Sequence, residues 1–61
     1  MTTYDNVKRI ADSQKKTISK IESEAGIANG TIGGWKKSKP YAATLLKVAK
    51  ALGVSIEELM A

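Results

Sequence analysis

The chain contains no cysteine and no histidine. Disulfide staples and thiolate metal sites are therefore excluded, and the commonest remaining metal ligand and general base is missing. No apolar run approaches the ~18 residues that a membrane span requires, and no signal-peptide layout opens the chain. No strand alternation is present, so no glycine-rich phosphate loop can follow a strand. The six carboxylates, Asp5, Asp12, Glu22, Glu24, Glu57 and Glu58, read as solvated helix faces and terminus charges, not as an acid/base pair. These absences predict a non-enzyme with no catalytic residue, no cofactor, no metal, no small-molecule substrate and no membrane partner, resident in the cytoplasm.

What remains is a small basic chain. Its 61 residues suffice for one domain, 1–61, which buries only roughly 60% of its unfolded surface and needs efficient packing. Ten Lys and Arg against six acids give a net charge of +4, which suits a polyanionic partner. Placement says more than the total. Lys36, Lys37 and Lys39 cluster together, Lys8, Arg9, Lys15, Lys16 and Lys20 crowd the first third, and acids gather at Glu22, Glu24, Glu57 and Glu58.

Hydrophobic spacing predicts five short helices and an all-α, compact bundle. Helix one starts near Thr2 or Thr3, buries Val7, Ile10 and Ala11, and fades near Gln14. Thr17 caps helix two, which carries Ile18, Ile21 and Ala25 and stops at Gly26, the residue type suited to a left-handed helix end. Ile27 points back to the core. Helix three starts at Ala28 or Asn29, covers about 29–37 and ends before Pro40. Helix four, about 42–52, carries Leu45, Leu46, Val48, Ala49 and Leu52 and ends at Gly53. Ser55 opens helix five in a capping box with Glu58, with Ile56 and Leu59 inward. Leu59 and Met60 fall at the core edge, where a dimer contact could form.

Between Ile21 and Trp35 an apolar ladder at helical spacing is broken once, at Gly26, and resumes at Ile32 and Trp35. Two short helices joined by a tight turn and followed by lysines can press one helix into the major groove of DNA. The segment closely resembles the helix-turn-helix of the phage-repressor and Cro-type (XRE-like) family, with Ile21, Gly26, Ile27, Ile32 and Trp35 at the motif positions. The run from Thr44 to Leu59 resembles that family's fourth and fifth helices. Departures are Glu22 in place of a small Ala, Ile18 with Ser19 at the first turn of helix two, Ala28 in place of a capping Ser, and Tyr41 where a Ser commonly opens helix four. The resemblance implies a lambda-repressor-like five-helix bundle with its helix-turn-helix at about 17–37. It also implies a double-stranded DNA-binding transcriptional regulator of phage or bacterial type, with helix three in the major groove.

On helix three, Ala28, Ile32 and Trp35 define the inward side, while Gly30, Gly33, Gly34 and Lys37 face outward. Each glycine costs on the order of 1 kcal/mol relative to alanine inside a helix. Three readings stay open: close approach to groove or phosphates, a weak helix anchored by Ile32 and Trp35, or a variant whose base-reading residues have been lost. The family's base-reading positions correspond to Asn29, Gly30 and Gly34. Asn29 can hold adenine through two hydrogen bonds or cap its own helix. Thr31 can touch a thymine methyl or a phosphate, Gly33 shares the bare outer face, and Lys37 can reach guanine or a phosphate. Phosphate candidates are Lys36, Lys39, Thr17, Ser19 and Tyr41, with backbone N–H groups at helix starts. Trp35 is core by its spacing from Ile32, with stacking on an unpaired base the competing role. One unit covers one half-site, so a weak or DNA-dependent homodimer is expected. A protein-interaction module on the same fold is the alternative, argued by the bare base-reading positions.

Overall fold

The computed structural model describes residues 2–60. Four α-helices follow one another: α1 Thr3–Ser13, α2 Ile18–Ala25, α3 Ala42–Leu52 and α4 Ile56–Met60. A single 3-10 turn, Gly33–Lys36, stands between α2 and α3. The expected all-helical architecture is present, and the described residues contain no strand. The count of five helices is corrected to four, because the third is only this short 3-10 turn.

The helix ends follow the cap chemistry. The Thr2 hydroxyl accepts from the Asp5 N–H at 3.1 Å while the Asp5 carboxylate accepts from the Thr2 N–H at 3.1 Å, a reciprocal cap on α1. Hydrogen bonds from the Thr2 backbone and hydroxyl hold the Asp5 carboxyl below its ordinary range. Its contribution to stability is thus present above the ordinary carboxylate pKa of about 3.9 and is lost as pH falls through the lower folded value. Thr17 caps α2 by accepting from the Lys20 N–H at 3.1 Å. Gly26 (φ 72°) and Gly53 (φ 71°) end α2 and α3 in the left-handed region, where a Cβ would be strained. Ser55 and Glu58 make the expected box, the Glu58 N–H donating to Ser55 Oγ at 3.2 Å.

Every element supplies the core. Val7, Ile21, Ile32, Val48 and Leu59 are fully buried, joined by Ile10, Ala11, Trp35, Leu45, Ala49 and Leu52. Burying a large aliphatic side chain is worth about 1.5–3 kcal/mol, so these few side chains dominate the stability. Two carboxamides tie α1 to the C-terminal half: Asn6 Nδ2 donates to the Leu59 carbonyl at 2.8 Å and Gln14 Nε2 to the Leu52 carbonyl at 2.7 Å. Leu46 departs from expectation at 44% exposed. Leu45, Val48, Ala49 and Leu52 form the stripe, and Leu46 lies about 100° off it. Leu59 is core, whereas Met60 is exposed. No helix among the described residues is long and apolar enough to cross a membrane, and no cluster of three metal-ligand side chains occurs among them.

Candidate nucleic-acid interface

Gly26 turns the chain out of α2, and Ile27 fixes the exit by donating its N–H to the Glu22 carbonyl at 3.0 Å. Ile27 packs against the core, half-buried. The next residues do not wind into the α-helix expected over 29–37. Gly30 adopts φ 90°, far from right-handed helical values. The Ala28 carbonyl, which an α-helix would give to Ile32, accepts from the Thr31 N–H at 3.2 Å and the Thr31 Oγ1 at 2.7 Å. A turn therefore occupies residues 29–32, and the 3-10 turn Gly33–Lys36 follows. Ala28 is exposed, not inward.

Ile32 and Trp35 nevertheless share the buried side, Trp35 at 7% exposed. Residues three apart lie one above the other in a 3-10 helix and are neighbours in an α-helix as well. The spacing of four between Ala28 and Ile32 has no such insurance, and that part of the pattern is lost. The Gly34 carbonyl closes the segment by accepting from the Lys37 N–H, the Ser38 N–H and Ser38 Oγ, each at 3.1 Å.

With that frame behind it, the segment presents Asn29, Gly30, Gly34 and Lys37 to solvent, with Thr31 and Gly33 half-buried beside them. The turn is closed by Thr31 and the Ala28 carbonyl, not by an Asn29 cap. The glycines divide into two kinds. Gly30 is required by its positive φ, whereas a Cβ on Gly33 or Gly34 would meet no atom within 4 Å and neither has a positive φ. Gly33→Ala is therefore expected to raise stability by about 0.4–1 kcal/mol by restricting the unfolded chain, while Gly30→Ala lowers it. Urea denaturation of the two variants checks the pair, and equal shifts of the same sign would contradict it.

Thr17 and Ser19 are exposed at the start of α2, and Tyr41 is 83% exposed at the start of α3, without a side-chain cap bond. Lys36, Lys37 and Lys39 are exposed as well. They border a cleft of about 330 Å³ whose other wall is Thr2 and Thr3. Lys36 is already engaged, its Nζ 4.7 Å from the centroid of the Tyr4 ring, an attraction of cation for π face.

The acids explain why the positive charge stays available. Asp5 and Glu58 are tied to backbone caps, and Asp12 and Glu24 pair with Lys8 and Lys16 at 2.8 and 3.1 Å. Glu22 corrects the sequence reading. Instead of a solvated helix face it is 3% exposed, and its Oε2 accepts from the Ile32 N–H at 3.0 Å. The signal was its position, four residues after Ile18 and three before Ala25, on the same inward stripe. Among the described residues Lys37 and Lys39 make no ion pair. The Tyr4–Lys36 contact spans too many residues for any local pattern to have pointed to it.

Residues 6–61 match the family model described as "Cro/C1-type HTH DNA-binding domain". No curated protein matches the chain. Among solved structures, the crystal structure of the prophage Lp1 protein 11 is similar at a TM-score of 0.79 and 22% identity, covering 93% of this chain and 79% of that one. At that identity the likeness shows the fold alone. The family match spans nearly the whole chain, and it agrees with a turn at Gly26 followed by an Ile32 and Trp35 anchor. The chain belongs to the Cro/C1-type helix-turn-helix DNA-binding domain family.

Proposed function

We propose that the chain is a transcriptional regulator of phage or bacterial type that lays residues 29–37 against the major groove of double-stranded DNA. The observation that carries this reading is the half-buried Gly33 beside the exposed Gly34, two glycines whose bareness no packing contact within the chain requires. Glycine at such sites weakens local structure, and a surface stripped of side chains is what a duplex needs to come close.

Readout then rests on few groups. The exposed Asn29 carboxamide suits adenine N6 and N7, a contact worth about 1–3 kcal/mol of discrimination. Thr31 spends its hydroxyl on the Ala28 carbonyl and offers its methyl to thymine. Gly30, Gly33 and Gly34 bring backbone, not side chains, to the groove. Lys37 and Lys39 take phosphates, helped by Thr17, Ser19, Tyr41 and the amides at the starts of α2 and α3. Two copies pair weakly or only on DNA, one per half-site.

The lysines separate by engagement. Lys37→Ala weakens binding to all duplexes alike and flattens the salt dependence by about one contact. Lys36→Ala has a smaller effect, because Lys36 is held over Tyr4. Fluorescence anisotropy of labelled duplexes measures both, and a larger loss for Lys36→Ala would contradict the assignment.

A protein-interaction module on the same fold is the second reading, favoured by Gly30 and Gly34, which offer no side chain to a base. Titration with duplex DNA at low salt decides between them. Binding that tightens as salt falls supports the regulator, and no binding at low salt leaves the protein partner.

A further inference from the structure

Glu22 is the buried carboxylate that the proposed contacts do not use. Its sign is wrong for a surface that meets a polyanion, so its presence calls for another account. Its carbonyl accepts the Ile27 N–H at 3.0 Å and also the Gly26 N–H, closing the end of α2. Its side chain reaches ten residues on and accepts the Ile32 N–H at 3.0 Å. Ile32 is fully buried, so that N–H has no water to turn to. The carbonyl four residues back, on Ala28, is filled by Thr31, and Ala28 has no side-chain acceptor.

We propose that Glu22 is the positioning residue of the duplex-facing segment: from α2, its carboxylate captures the Ile32 amide and holds residues 28–32 in a turn instead of an α-helix. Gly30 at φ 90° supplies the backbone freedom the turn needs, and Glu22 supplies the bond that selects it. One residue thus sets both the exit from α2, through its backbone, and the placement of the glycine face, through its side chain. The role in recognition rests on the reading of residues 29–37 as the DNA-contacting segment.

The test uses the wild-type chain, Glu22→Ala and Glu22→Gln. In the wild-type chain, a scalar coupling between the Ile32 amide nitrogen and the Glu22 carboxylate carbon is expected, because it passes only through a hydrogen bond. Hydrogen exchange at Ile32, relative to Val48 as the reporter of global stability, is expected to quicken at least about tenfold in Glu22→Ala, the scale of one charge-assisted bond. Glu22→Gln keeps an acceptor and restores protection to within about threefold of wild type. Affinity for a mixed-sequence duplex follows the same order, falling about tenfold in Glu22→Ala and less than about threefold in Glu22→Gln. Both variants remove the same negative charge, so the difference between them isolates the hydrogen bond. Absence of the coupling, equal exchange at Ile32 in wild type and Glu22→Ala, or equal duplex affinity for the two variants would overturn the proposal. A wild-type chain that binds no duplex would refute the proposed function instead, while coupling and exchange, which need no DNA, still decide the role of Glu22.

Discussion

Trp35→Ala is expected to remove at least about a third of the chain's stability and to lower its urea midpoint sharply. A folded chain of this length is stable by about 3–9 kcal/mol, and deleting a buried Trp side chain costs about 3–5 kcal/mol. The loss falls where it cannot be shared. The 3-10 turn has no long helix of its own and is fixed through Trp35 and Ile32, packing against α1. The cavity left would open between α1 and the segment that carries the glycine face. Circular dichroism with a urea series measures the change. A cooperative transition at nearly the wild-type midpoint would show that the indole is not the anchor.

The second large effect is on binding. Raising salt from about 50 to 200 mM is expected to weaken duplex affinity roughly 10- to 40-fold per protomer, from two to three lysine–phosphate contacts at about 0.9 log units per log salt each. In the proposed reading Lys37 and Lys39 supply the first two, being exposed and without an ion pair among the described residues. Lys36 supplies at most the third, since it must leave the Tyr4 ring. Asp12 and Glu24 contribute little opposition, because they are paired with Lys8 and Lys16. A salt-independent affinity would mean that phosphates are not the ligand.

Much of this was legible from local chemistry. Thr2, Thr17, Gly26, Gly53 and Ser55 with Glu58 mark helix ends through groups within three or four residues of one another, and all five act as their residue types predict. The stripes of α1 and α3 were equally readable, except that Leu46 was counted into a face it does not join. The turn at 29–32 was not legible, because what decides it is distant. Gly30 permits a positive φ but does not impose one, and the Ile32 amide is diverted by Glu22 from another helix. Charge alone reads Glu22 as solvated, although its register places it inside. The inward pair Ile32 and Trp35 survived this error because a spacing of three serves both helix types.

The central claim is that residues 29–37, braced from behind by Ile32 and Trp35, are the surface that meets the duplex. Amide chemical-shift mapping during titration with duplex DNA selected from a random pool tests it most directly. The account predicts the largest shifts at Asn29 to Lys39 and at the starts of α2 and α3, with α4 quiet. Shifts concentrated on α4 and the solvent side of α1, with Asn29 to Lys37 unmoved, would contradict it.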